Sequence, residues 1–316
     1  SPKTPKQSKR VRSSSGSSDG ARHLFEDVQL MRLRYQITTG LVFFSLAVSA
    51  VMLEAEAGSS FPDVIRQTQH GRINWSRLTL YSEASRPWPR LSSDALDRRG
   101  PAYTAVQQQA LASLHHLLFT LPVDGTTTLQ ALDSSDEGNL ADMVPERATP
   151  WLPFHARGNV VRLGLALSLS GPEGVLTLVT NHYPLYELPP LPRAQVRAAF
   201  HHSGVVIDAR HLPFVPALGT RIFNASGDLV YGIVHTDRIV YVEDSHILYL
   251  SDPRDPRMQA RAGTRFALMV AKNVRGSTRS DLELFDADSD RMLSSDVTRN
   301  HLRRCRVVVL CKAAQE

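Results

Sequence analysis

Asp286, Asp288 and Asp290 sit at alternate positions, the spacing with which a calcium loop begins, because alternate carboxylates can converge on one hard cation. Arg291 stands where that loop needs its turn glycine and Val297 where it needs its bidentate glutamate. The three aspartates therefore read as helix caps. The pairs His115-His116 and His201-His202 look like metal ligands, but adjacent residues on a helix diverge by about 100° and cannot share an ion. Gly16-Ser17-Ser18-Asp19-Gly20 matches the G-x-S-x-G nucleophile elbow in form, yet that elbow needs a strand before it and a helix after it. Here it lies in a polar, Ser-rich stretch. No H-E-x-x-H, C-x-x-C, G-x-x-x-x-G-K-[ST] or G-x-G-x-x-G is present, so the common zinc, redox and nucleotide chemistries lack their carriers. No catalytic, metal or cofactor-binding residue is assigned; the chain reads as non-enzymatic, without a cofactor.

Other polar and sulfur groups have structural readings. Cys305 and Cys311 bracket the apolar, β-branched run CRVVVLC, which predicts a buried strand. Six residues of strand span ~20 Å, whereas a disulfide needs Cα atoms within ~7 Å, so both cysteines read as buried free thiols. Asp208 and Arg210, two apart on a predicted strand, share a face and could pair or bond the turn backbone around Pro216. Asn74-Trp75-Ser76 and Asn224-Ala225-Ser226 are glycosylation sequons in form only.

The elements that would position these groups begin after an export signal. Arg32 and Arg34 precede an uncharged run of 13 residues, Leu41 to Leu53, and Ala55-Glu56-Ala57 has the small-x-small form of a cleavage site. Cleavage between Ala57 and Gly58 predicts a periplasmic product. The competing reading is an inner-membrane anchor over residues 37–53, whose 17 residues fall short of the ~20 a spanning helix needs. Residues 1–30, rich in Lys, Arg, Ser and Gly, could not bury enough apolar surface to fold, and are read as a disordered leader upstream of the true start at Met31. The net charge of +5 is concentrated there: residues 1–57 hold 8 Lys+Arg against 5 Asp+Glu, leaving 28 against 26 in the rest. A near-neutral body has no broad footprint for phosphate backbones, so nucleic acid is not expected as a partner.

The 259 residues from Gly58 onward suit two small modules. The expected fold class is α+β, each module a helix packed on a short antiparallel sheet. In the first, residues 58–187, Arg77 to Tyr81 predicts a short strand. Ala102 to Leu121 predicts an amphipathic helix with Tyr103, Val106, Ala110, Leu111, Leu114, Leu117, Leu118 and Leu121 on its stripe. Leu129 to Val144 holds room for another short helix. Asn159 to Ser170 alternates and leads through Gly171-Pro172-Glu173-Gly174 into Val175 to Thr180, predicting a hairpin. Residues 188–203, opening with Leu188-Pro189-Pro190-Leu191-Pro192, predict a stiff linker. In the second module, residues 204–316, Val205 to Asp208, Thr220 to Phe223 and Leu229 to Tyr231 predict strands, and Val307 to Leu310 is expected to close their sheet.

The order Gly204-Val205-Val206-Ile207-Asp208-Ala209-Arg210, then Pro216-Ala217-Leu218, Arg221-Ile222 and Gly227 to Gly232 with Tyr231 before the final glycine, resembles a signature of bacterial envelope proteins. The group is that of flagellar assembly protein T and flagellar protein P, a lipoprotein-like family. Gly71-Arg72-Ile73-Asn74-Trp75, the helix after it, Val123-Asp124 and the terminal Cys305-Arg306-Val307 resemble further parts of that pattern. His211 to Phe214 depart from it, replacing a glycine-bearing step. The resemblance implies a periplasmic or outer-membrane-associated scaffold, in some members a builder of rings around the flagellar motor. Its implied partners are envelope or flagellar proteins or further copies of the chain, and it carries over no catalytic residue. A peptide- or strand-binding, chaperone-like module is the alternative.

Overall fold

The computed structural model describes residues 61–87, 95–133, 140–157, 159–190 and 201–315. The leader, the export signal and its Ala57/Gly58 junction lie outside these residues, as do residues 191–200 of the expected linker. Residues 61–316 form one compact unit of class α+β. Among the described residues no helix is long and apolar enough to cross a membrane.

The chain opens with three antiparallel strands, β1 (Ile65–Thr68), β2 (Gly71–Asn74) and β3 (Thr79–Pro87). Helix α1 (Ala95–Phe119), α2 (Leu129–Asp133) and α3 (Leu140–Arg147) follow, then β4 (Thr149–Arg157), β5 (Val160–Ser168) and α4 (Val175–Asn181). With the C-terminal strand β14 (Ala314–Gln315), they build a six-stranded sheet in the order β14-β1-β2-β3-β5-β4. Tyr103 of the predicted stripe is exposed and Leu111 half-buried, while Val106, Ala110, Leu114, Leu117, Leu118 and Leu121 are buried. They face Leu80, Ala84, Leu163, Leu165 and Leu167 on one side of β3 and β5. The helix begins earlier than its apolar pattern and runs through Pro101, where proline removes one main-chain donor.

The hairpin expected from Val175 to Thr180 is not formed. That run is helix α4, and β5 pairs instead with β3 and β4. A short apolar run fits strand or helix equally by sequence; here Val175, Leu176, Val179 and Thr180 are buried, the i, i+1, i+4, i+5 face of a helix.

The second half departs further from its expected antiparallel sheet. Strands β6 (Val205–Asp208), β7 (Ile222–Phe223) and β8 (Leu229–Tyr231) precede helix α5 (Arg238–Asp244), β9 (Leu248–Leu250) and α6 (Pro256–Ala262). Then come β10 (Ala267–Val270), β11 (Asn273–Arg275), β12 (Asp281–Glu283), α7 (Asp286–Met292), α8 (Asp296–Arg303) and β13 (Val307–Leu310). They form two sheets. In one, β10-β6-β13-β9, every pair is parallel; in the other, β11-β12-β7-β8, β7 and β8 form the predicted hairpin. So β13 closes on β6, as its sequence suggested, but not on β7 and β8. Val205-Val206-Ile207 and Val307 to Leu310 are buried on both sides of their sheet, and such unbroken apolar runs suit parallel strands covered on two faces.

The two expected modules share one hydrophobic core, which runs from Val64 through Leu188 to Cys311. Trp75 packs edge-on to Tyr249 with ring centroids 6.0 Å apart, and Ser76 Oγ donates to the Tyr249 carbonyl at 2.7 Å. The C-terminal β14 adds in parallel to β1. Leu188 is buried, and Arg299 donates to the carbonyls of Leu188 and Pro189. On the other face of the parallel sheet a smaller cluster of Val206, Leu250, Val308 and Leu310 lies with Ala262 of α6.

Candidate functional site

The signature residues occupy the heart of the second half, each with a definable mechanical part. Gly204 enters β6 where an added Cβ would lie 2.6 Å from the carbonyls of both Ala262 and Arg306, so only a bare backbone fits. Asp208 ends β6 and pairs with Arg210: Arg210 Nη2 lies 2.6 Å from Oδ2, and Nε and the main-chain N–H reach Oδ1 at 2.9 and 3.1 Å. The Arg210 side chain holds the Asp208 carboxyl below its ordinary range. The pair closes on itself and leaves the Pro216 turn to other partners. Around the buried Pro216, Val215 N–H donates to Arg279 O, Leu218 N–H to Pro122 O, and Tyr249 Oη to Ala217 O at 2.7 Å. Gly227, at φ +93, makes the β7–β8 turn. Tyr231 is fully buried and donates to Leu302 O at 3.1 Å. Gly232 has extended backbone and room for a side chain; nothing in the structure requires glycine there.

The same closure occurs at two other Asp-x-Arg tripeptides, Asp252-Pro253-Arg254 and Asp255-Pro256-Arg257. In each, the arginine main-chain N–H, Nε and Nη2 all reach the aspartate two residues back. The sequence carries D-x-R at these three places and also at Asp97-Arg98-Arg99. What it builds at the three is local: a carboxylate turn locked by charge-assisted bonds.

A buried ionic junction that the sequence reading missed lies beside the signature. Asp124 and Asp281 are 3% and 2% exposed and share Arg221. Arg221 Nη2 and Nε reach Asp281 Oδ2 at 2.6 and 3.0 Å, while Nη2 lies 3.3 Å from Asp124 Oδ1. Gly125 N–H and Arg221 N–H both donate to Asp281 Oδ1 at 3.0 Å. Asp124 also receives Thr126 N–H, Thr127 N–H and Tyr183 Oη. Burial works against the charge on Arg221, but the bonds and charges of Asp281 and Asp124 outweigh it and raise the guanidinium above its ordinary value. Burial, then Asp124, pushes the Tyr183 phenol upward. Four segments, residues 122–128, Tyr183, the entry to β7 and the β11–β12 turn, are tied at this point. Asp124-Gly125 is visible in the sequence only as a turn, and Asp281 carries no local signal, because its partners are 60 and 156 positions away.

The remaining groups singled out by type are also absorbed by the fold. Asp286 and Asp288 lie in the first turn of α7, where negative charge suits the helix dipole. Neither caps its own helix; Asp286 Oδ1 accepts from Ala225 N–H at 3.0 Å. His116 meets His70 on the β1–β2 turn, His115 meets Phe119, and His202 N–H donates to Thr298 Oγ1. Cys305 and Cys311 are buried and free; burial pushes the Cys305 thiol up to about 12 and Cys311 higher still, away from nucleophilic use. Asn74 is buried and donates to Asp63 Oδ2. A cleft of about 360 Å³ beside Trp75, Ser76, Glu243 and Asp244 is lined by Arg257, which is already paired with Asp63 and Asp255.

In comparisons with known proteins, residues 204–313 match the family described as Treponema pallidum Tp0624, second domain. No curated protein matches the chain. The matched segment begins at the glycine that opens β6 and ends just before β14, so the chain is similar to that domain over the parallel sheet, the small β7–β8 sheet and the helices around them.

Proposed function

We propose that this chain is a non-enzymatic structural or assembly protein of the bacterial envelope, exported by its signal and serving an ordered assembly such as a flagellar basal-body ring. The observation that carries the reading is the use of the signature: Gly204, Asp208, Arg210, Pro216, Gly227 and Tyr231 shape, lock or fill the fold. Support comes also from the buried charges beside them, which are consumed by one another and by main chain. A scaffold needs such internal locking, whereas an acid, base and nucleophile set needs groups aimed at a shared space.

The deciding experiment is in vivo crosslinking of the native-level protein, with cell fractionation, N-terminal sequencing and a deletion strain scored for motility and envelope integrity. A periplasmic product starting at Gly58, crosslinked to itself or to envelope proteins, with a defect on deletion, is expected. Retention of Met31 in the membrane fraction, or an unlinked monomer whose deletion changes neither phenotype, overturns the reading. The alternative, a periplasmic binding module, is favoured by one feature, the exposed side chains Trp151 and Val160 on the outer face of the six-stranded sheet. Co-purification of unfolded clients without an ordered oligomer would select it.

A further inference from the structure

The six-stranded sheet buries one face under α1; on the other, among the described residues, Trp151 and Val160 are exposed. There the register of β4 against β5 shifts between Pro150 and Leu152 and again between Leu152 and His155. Such bulges re-aim side chains. The skipped residue, Trp151, lays its indole over Gly164 of β5, where an added Cβ would sit 2.7 Å from indole Cε2 and Nε1. The indole N–H donates to the Ser82 carbonyl of β3 at 3.0 Å, and the ring meets Tyr81 edge-on at 5.7 Å and 88°. Trp151 is nonetheless 36% exposed.

Arg72, the cross-strand partner of Tyr81, completes the cluster. Its guanidinium carbon lies 4.6 Å from the Tyr81 centroid and 4.9 Å from the Trp151 centroid. Among the described residues no carboxylate pairs with it, unlike Arg77, Arg221 and Arg257. Two aromatic walls thus fix a planar, half-buried cation while leaving its N–H donors without an acidic partner. Elsewhere on this face, Arg162 pairs with Glu83 at 3.7 Å, and Arg157, opposite Val160, is exposed and has no carboxylate partner among the described residues. The face is therefore a flat aromatic platform with a small positive excess.

We propose that this face binds an acidic saccharide, one sugar ring laying its polarised C–H groups against the part of Trp151 that Arg72 leaves exposed and a carboxylate of the ligand taking the fork of Arg72. The carboxylate plane matches the guanidinium bidentately, and the exposed indole beside it offers an apolar ring surface for a sugar. A nucleic acid is a poorer occupant, since a phosphate chain is held by many cations and this face offers two unpaired ones among its described residues. Strand addition at the adjoining edge is opposed by Pro150 and Pro153 in β4, which blunt an edge strand. The proposal does not depend on the envelope reading.

The test is isothermal titration of the full chain with hexagalacturonate, with maltohexaose and the single-stranded oligonucleotide dT10 as controls. Binding of the acidic hexamer is expected, weakened about 10-fold or more by R72Q and by W151A, with R72K restoring only part because an ammonium lacks the fork. W151F, which keeps an aromatic ring in the packing, should weaken binding without unfolding if W151A proves unstable. No heat with hexagalacturonate up to about 10 mM, or equal binding of maltohexaose, overturns the proposal. So does tighter binding of dT10, or affinity unchanged in every one of these variants.

Discussion

At the scale of single residues, several ionisable groups are buried inside the fold. His246 is fully buried between Tyr231 and Tyr241, with Nε2 2.9 Å from the Thr220 carbonyl; desolvation lowers its pKa to about 4. Above the ordinary value of 6.5, both folded and unfolded chains carry a neutral imidazole. As pH falls, the unfolded chain takes the proton first while the folded chain refuses it down to about 4. Stability should therefore decline through that window, by up to about 1.4 kcal/mol per pH unit for this one group. His235, also lowered to about 4 by desolvation and Arg299, adds in the same direction. Urea unfolding at a series of pH values should show the decline, and H246Q should flatten it; an unchanged slope would mean that His246 is not buried neutral. The Arg221–Asp281 pair makes a second prediction. D281A removes the shortest carboxylate partner of Arg221, leaving it Asp124 at 3.3 Å, and strips the Gly125 and Arg221 main-chain N–H groups of their acceptor, costing about 3–5 kcal/mol. D281A, R221M and their combination form a double-mutant cycle in denaturant that measures the coupling of the pair.

At the scale of elements, packing decides what local pattern leaves open. Leu114 is fully buried at the centre of the α1 stripe, so L114A should cost about 2–5 kcal/mol in thermal or chemical unfolding, whereas Q108A on the same helix should change little. The β11–β12 turn approaches residues 124–125 so closely that an added Cβ on Gly276, at φ +83, would lie 2.0 Å from the Gly125 carbonyl oxygen. G276A should destabilise by about 3 kcal/mol or more, and a loss of well under 1 kcal/mol would show that these two turns can separate without harm. Helix α1 and strand β6 were legible because a 3.6-residue stripe and an unbroken β-branched run are written in neighbouring residues. Helix α4 was not, since Val175 to Thr180 satisfies both periods and only the space beside Leu169 and Val242 selects one. Strand β4 was missed for a related reason: its prolines and exposed positions lack alternation, and it exists because β5 offers it an edge.

At the scale of the whole molecule, the continuity of the core predicts cooperative behaviour. Ser76 bonds the Tyr249 strand, β14 extends the first sheet, and the 122–128 loop is tied to β7 and β12. Calorimetry should find residues 61–316 unfolding in a single transition with calorimetric and van't Hoff enthalpies in agreement. Two resolved transitions, or independent folding of 61–190 and 201–316 as separate fragments, would show that the shared core is not cooperative.

What the sequence by itself determined is what short-range patterns encode: the α+β class, the α1 stripe, the β7–β8 turn at Asn224 to Asp228 and the buried thiols of Cys305 and Cys311, whereas it left Asp208 and Arg210 open between pairing with each other and bonding the Pro216 turn. What only the tertiary structure decided is long-range. The parallel order β10-β6-β13-β9, the junction of Asp124, Arg221 and Asp281, and the assembly of Arg72, Tyr81 and Trp151 bring together residues from 9 to 157 positions apart. The physical reason is that parallel pairing and buried charge pairs depend on which distant surfaces meet, and no local periodicity records that meeting.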